Sequence, residues 1–167
     1  MPKSDQGINA DRYLVVPRTL IFLFNDNNQV LLLKGADDKR LWAGLFNGIG
    51  GHIERGEDIY QAAYRELKEE TGLADVGLHY CAHLTVDISE QAGVMIFVFK
   101  GISQRSDLTG SSEGTLAWVP LDEIGALPLV EDLPTLIPLV AGHRPPDAVI
   151  VGQYSYGDDG RLVTHFR

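Results

Sequence analysis

The sequence predicts an α/β or α+β sandwich, rich in strands with helices between some of them, and three observations carry that expectation. Strand-length apolar and β-branched runs recur along the chain, as in Leu20 to Phe24 and Val94 to Phe99. Turn chemistry separates them, most strongly at Asn25-Asp26-Asn27-Asn28 and Gly157-Asp158-Asp159-Gly160. Apolar residues recur at helical spacing in only a few segments, of which Glu57 to Thr71 is the clearest.

Taken in order, the first strand begins near Arg18, because Pro17 interrupts the apolar run from Tyr13 to Phe24. The four-residue Asn/Asp turn then returns the chain as a hairpin strand from Val30 to Leu33. Gly35 to Gly44 reads as a loop, and Leu45-Phe46-Asn47 as a short strand that dissolves into Gly48, Gly50 and Gly51. Gly72 is placed to end the main helix, and Tyr60, Ala63, Tyr64 and Leu67 form the face expected to pack on a sheet. Leu78 to Asp87 and Val94 to Lys100 read as paired strands joined by a turn over Ser89 to Gly93, followed by a polar loop to Ser112. Thr115 to Val119 is a strand, Leu121 to Ile124 a short helix, and Leu133 to Ala141 a second helix. A C-terminal hairpin spans about 148–166.

The length of 167 residues fits one domain over 1–167 and permits a substantial core. No apolar run reaches membrane-spanning length, and Met1 to Asp11 lacks the apolar centre of a secretory signal. Cys81 is the sole cysteine, so no internal disulfide forms and a reducing cytoplasm is the expected location. A net charge of −9 argues against a nucleic-acid polymer as partner. An anionic small molecule would need local charge reversal, which carboxylates holding divalent cations supply. The plain alternative is an acidic surface that serves solubility.

Glu66, Glu69 and Glu70 offer that cluster, since relative positions 0, 3 and 4 share one helix face. Like charges at these spacings cost a few tenths of a kcal/mol per pair, about what a helix salt bridge contributes. Lys68 and Arg65 are expected to lie off the acidic face. Hard oxygen donors suit Mg²⁺, with Mn²⁺ an alternative. Taken alone, the triplet is equally a solvated charged face. Upstream, Gly50-Gly51-His52-Ile53-Glu54-Arg55-Gly56-Glu57 is a glycine-punctuated loop whose backbone can approach a cation or phosphate. Glu57 and Arg65 stand eight apart, close enough for an ion pair bracing loop against helix.

Gly51, Glu57 and the run Arg65-Glu66-Leu67-Lys68-Glu69-Glu70-Thr71-Gly72-Leu73 together resemble a complete Nudix box over residues 51–73. The resemblance implies an α/β/α sandwich with a mixed β-sheet, in which the box forms a loop-helix-loop. It also implies hydrolysis of a nucleoside diphosphate linked to another moiety. Position by position, Glu66, Glu69 and Glu70 correspond to the family's metal-binding acids, and the Gly50 carbonyl to its backbone ligand. Glu66 is the first choice for general base and Glu69 the second. Glu113 matches a further acidic ligand that related enzymes place outside the box, and reads equally as a solvated loop-end residue.

Trp42 to Gly51 and Glu113 to Ile124 are similar to MutT-type enzymes that remove oxidised purine nucleoside triphosphates, which makes 8-oxo-dGTP the leading substrate. That group reads the purine with an asparagine where Asn47 stands, although Asn47 also suits a turn beside Gly48. Vertebrate-like members add acidic residues and a stacking tryptophan. Here Asp132 fits the acidic role or a helix N-cap, and Val130 replaces the tryptophan. Hydrolysis of ADP-ribose, dinucleoside polyphosphates or another diphosphate conjugate is the second reading. A nucleotide-binding module without turnover is the third, and on any of these readings the protein is expected as a monomer or homodimer. Cys81 and His83 lack the partner pair of a zinc site, and no P-loop or dinucleotide fingerprint occurs. His143 and Arg144, before Pro145-Pro146, read as a solvated connector.

Overall fold

The computed structural model describes residues 2–7, 11–36, 42–110 and 114–167. Strand β1 (Leu14–Phe24) starts four residues before Arg18, running straight through Pro17. The reason lies in the direction its amides face. Thr19 and Ile21 donate to Gly51 and Ile49 on the glycine-loop side, so position 17 faces the same way and its missing N–H removes no bond to β5 (Ala92–Ile102). The Pro17 carbonyl still accepts from Ile53.

One mixed sheet holds every strand among the described residues. Its order is β3 (Phe46–Asn47), β2 (Gln29–Gly35), β1, β5, β4 (Leu78–Asp87), β7 (Ile150–Tyr156), β8 (Leu162–Phe166), with β6 (Gly114–Pro120) also paired to β2. β1 with β5 and β4 with β7 are parallel, and the other pairs are antiparallel. The expected hairpins at the Asn/Asp turn and at the C-terminus both form.

Helix α1 (Ile59–Thr71) begins two residues later than expected because Asp58 serves as its N-cap. The Asp58 carboxylate accepts from Tyr60 and Gln61 N–H groups, and the Gln61 side chain returns a bond to the Asp58 backbone. Gly72, at φ 76°, closes the helix in the left-handed conformation with its N–H on the Lys68 carbonyl. Ala62, Ala63 and Leu67 are buried, whereas Tyr60 and Tyr64 sit at the rim. The packed face is therefore rotated from the aromatic stripe toward the small residues, which let the helix approach the sheet closely. Tyr60 still lays its ring edge-on against Phe99 at 5.0 Å.

The sheet has a core on each face, giving helix, sheet and helix layers. Ile21, Leu23, Leu31, Ile49 and Phe99 pack against Ala63 and Leu67 of α1. Leu20, Phe22, Leu84 and Val98 pack against Leu133, Leu136, Ile137 and Val140 of α2 (Leu133–Gly142). Each such fully buried Leu or Ile contributes about 1.5–3 kcal/mol by leaving water. The short helix expected at Leu121 to Ile124 is instead a turn followed by a 3-10 turn at Ile124–Ala126. Ser89 to Gly93 is shortened as a turn, since Ala92 and Gly93 already pair in β5. No helix among the described residues is long and apolar enough to cross a membrane.

Candidate active site

The glycine loop runs alongside the first half of β1, bridged through Ile21 with Ile49 and Arg18 with His52. This carries Gly50 and Gly51 under the C-terminal half of α1. Gly50 adopts φ 148°, and a Cβ there would collide with the Thr19 carbonyl. Its N–H donates to Glu70 Oε2 at 3.1 Å. A Cβ on Gly51 would occupy the position of the Glu66 carboxylate. The glycines thus leave room for two acids to lie directly on the backbone.

The three helix carboxylates are held unequally. Glu70 is 5% exposed, the Glu66 side chain 13% and the Glu69 side chain 60%. Arg65 was expected off the acidic face, but its guanidinium reaches across it. Nη1 donates to Glu66 Oε1 at 2.8 Å and to Glu69 Oε2 at 3.2 Å. Nε and Nη2 meet both oxygens of Glu57, at 2.7 and 3.0 Å, so the spacing of eight is closed by a bidentate pair. Nη2 also donates to the His52 carbonyl at 2.9 Å. Arg65 therefore joins loop to helix. Its bond to Glu57, helped by the Glu54 N–H, holds that carboxyl down at about 2. Glu57 and then Glu66 raise Arg65 above its ordinary value.

Glu70 and Glu66 lie against the Gly50–Gly51 backbone, and Glu66 and Glu69 share Arg65 Nη1, so the three carboxylates supply hard oxygen donors, the ligand type that Mg²⁺ takes. As the side chains stand, no three His, Cys, Asp or Glu side chains among the described residues are placed to hold a metal ion, and Arg65 Nη1 occupies an oxygen of both Glu66 and Glu69. Glu113 lies outside the described residues, as do Asp37, Asp38, Lys39 and Arg40.

On the α2 side of the sheet a pocket of about 430 Å³ opens beside this region and continues into one of about 100 Å³. Its floor is Arg18, Ile96, Val86 and Tyr154, and its walls include Trp42, Leu45, Val130 and Asp132. The smaller part reaches Asn47, Gly50 and Gly51. Asn47 and Asp132 are thus brought to one cavity. The Asn47 Oδ1 accepts from the Gly48 N–H at 2.8 Å, so the turn role is present as well. Asp132 precedes α2 in the N-cap position, yet its side chain makes no capping bond. It is half-buried on the pocket wall instead, and desolvation raises its pKa. The neighbouring Tyr154 hydroxyl is raised by burial and by Asp132, but makes no well-aligned hydrogen bond.

Sequence reasoning missed Arg18 and Tyr154. Arg18 Nε is buried without a hydrogen-bond partner among the described residues, and its guanidinium stands 6.0 Å over the Trp42 ring. An arginine inside an otherwise apolar strand was the available signal. His143 is also corrected. It is buried, not a solvated connector, and lines a larger cavity of about 720 Å³ far from the carboxylates.

Residues 15–140 match the family model described as NUDIX domain. The chain is 27% identical over 135 residues to the oxidized purine nucleoside triphosphate hydrolase of Mus musculus, covering 80% of this chain and 84% of that protein. The structure of the mutator MutT protein from Bacillus halodurans superposes with a TM-score of 0.74 at 26% identity, over 91% of this chain and 97% of that one. The NUDIX domain of Shewanella oneidensis NrtR, complexed with ADP ribose, gives 0.69 at 18% identity, over 84% and 97%, a likeness of fold.

Proposed function

The chain belongs to the Nudix family, and from that premise we propose that it hydrolyses nucleoside triphosphates, releasing the monophosphate and pyrophosphate. The preferred substrate is an oxidised purine nucleotide of the 8-oxo-dGTP kind. One observation carries this reading: Gly50 and Gly51 seat Glu70 and Glu66 while also lining the pocket that holds Asn47 and Asp132. A base in that pocket would extend its phosphates toward the carboxylates.

The residues divide the work as follows. Glu66, Glu69, Glu70 and the Gly50 carbonyl would hold Mg²⁺, or Mn²⁺ in its place, once Glu66 and Glu69 turn from Arg65, and Glu113 is a further candidate ligand. When bound, the ion supplies charge neutralisation at the phosphates and acidifies water. Glu66, pressed on Gly51 with little room to turn, accepts the attacking water's proton, with Glu69 the alternative base. Glu57 and Arg65 brace loop against helix, keeping base and phosphorus in register. Asn47 offers donor and acceptor together to a purine edge. Asp132, whose pKa is raised by desolvation, offers carboxyl oxygens to the base. Arg18 presents an unpartnered N–H to acceptor oxygens, as arginine does on guanine. Trp42 offers a ring for stacking.

Purified protein incubated with Mg²⁺ and a nucleotide panel tests the proposal. Turnover of 8-oxo-dGTP above dGTP is expected. Turnover of ADP-ribose with none of triphosphates would replace this reading with the diphosphate-conjugate one. Tight nucleotide binding without any phosphate release would instead favour the binding module.

A further inference from the structure

The 720 Å³ cavity lies at the opposite end of the sheet from the carboxylates. It gathers Lys100 and Ile102 at the end of β5, while the nucleotide pocket uses Val94 and Ile96 nearer its start, about 15–20 Å away along the strand. Helix α2 separates the two, with Asp132 at one end in the pocket and Ala141 and His143 at the other in the cavity.

In a chain with 23 acidic and 14 basic residues, this cavity is lined by Lys100, Arg144, His79 and His143 and by no described carboxylate. The C-terminus of α2 on its own would repel an anion, carrying roughly half a negative charge. Two full positive charges cover it. Lys100 Nζ donates to the Ala141 and His143 carbonyls at 2.6 and 3.0 Å, and Arg144 Nη1 donates to the same two at 2.9 and 3.3 Å. Those two charges exceed the helix end together with the Asp147 carboxylate, whose Oδ2 accepts from the Arg144 N–H at 2.8 Å, so the balance at the cavity is positive by a narrow margin. Burial and the neighbouring Arg144 hold Lys100 below its ordinary value, a strain that an anion would relieve.

The histidines add unspent bonding capacity. His143 Nε2 faces the Ala148 carbonyl at 3.1 Å, so that nitrogen carries the hydrogen and Nδ1 is left buried without a partner. His79 Nε2 is likewise buried and unpartnered, and the two rings lie 5.3 Å apart. Fully buried polar atoms are satisfied in the great majority of cases, so two unpaired nitrogens in one cavity point to a bound group. Phe24, Ile102 and Leu121 supply apolar wall, and the volume is that of a small-molecule site.

We propose that this cavity is a second binding site, distinct from the catalytic pocket, that takes a phosphate-bearing small molecule between His79, Lys100, His143 and Arg144. The test follows the imidazole signals of the five histidines by ¹H–¹⁵N NMR, in phosphate-free buffer with EDTA so that metal-dependent binding at the carboxylates is silent. Inorganic phosphate and adenosine monophosphate are titrated separately. Saturable shifts at His79 and His143, with His52, His83 and His165 still, are expected. Equal affinity for the two would mean that phosphate alone is read, and tighter binding of the monophosphate that the apolar wall is used too. Arg144→Ala removes an exposed side chain and leaves the Lys100 cap, so the fold is kept. It should weaken binding at least about tenfold, and Glu70→Gln should leave it unchanged. Still signals at His79 and His143 throughout both titrations would overturn the proposal, as would unaltered saturation in Arg144→Ala.

Discussion

The carboxylate end of the site draws its contacts from one short stretch of chain, whereas the pocket end draws its walls from six. Glu57, Arg65, Glu66, Glu69, Glu70 and the Gly50–Gly51 backbone satisfy one another within 20 residues. The pocket needs β1, the 42–47 segment, β4, β5, the 129–132 segment and the C-terminal hairpin together. The first is a hydrogen-bonded unit to which the proposed function assigns the reaction. The second is mostly apolar surface with a few polar groups, in which single substitutions reset what binds. The proposed function therefore predicts that reaction and specificity separate under mutation.

The largest effect is expected from Glu70→Gln, which keeps an oxygen for the Gly50 N–H and removes the charge. Turnover should fall by at least about a hundredfold, while the melting temperature stays near wild type. Retained turnover would mean the carboxylates are misassigned. Arg65→Ala comes next: losing the clasp on Glu57, Glu66 and the His52 carbonyl should cost about 10–100-fold in kcat. Because the proposal assigns nucleotide binding to the other region, KM should move little. A KM change as large as the kcat change would dissolve the distinction between the two regions. Arg18→Ala tests it from the other side, raising KM for the purine substrate about tenfold with kcat held. A pure kcat loss there would move Arg18 into the chemistry.

Smaller effects concern pH. Glu57 is held at about 2, below its ordinary 4.5, so its contribution to stability is complete above pH 4.5 and disappears as pH falls through 2. Melting curves of wild type and Glu57→Gln should therefore differ at neutral pH and converge in acid. A constant offset would place the effect outside ionisation. Asp132 has the opposite sign. Its folded pKa is raised, so its charge costs stability once pH exceeds that value and costs nothing below the ordinary 3.8. Asp132→Asn should thus melt slightly higher than wild type at neutral pH and equally in strong acid, measured by calorimetry.

The same contrast governs how much the sequence revealed. The box was legible because its geometry is local: a helix period places Glu66, Glu69 and Glu70, and a spacing of eight brings Glu57 to Arg65. What escaped was side-chain reach, since Arg65 crosses onto the acidic face that backbone spacing alone assigned to carboxylates. In the pocket, Asn47 and Asp132 were identified by resemblance, and the structure brings both to one cavity. Tyr154 was invisible, and Arg18 was marked only by its place in an apolar strand, because their shared pocket depends on the parallel pairing of β1 with β5 and of β4 with β7. Strand boundaries failed for a similar reason. Pro17 reads as a break in one dimension and is harmless once its nitrogen is known to face away from β5.

The most direct measurement is pyrophosphate release from 8-oxo-dGTP in Mg²⁺ by wild type and Glu70→Gln side by side. The account predicts equimolar monophosphate and pyrophosphate from the wild type and at least about a hundredfold less from the variant. Equal release by the two proteins, or orthophosphate as the product, would contradict it.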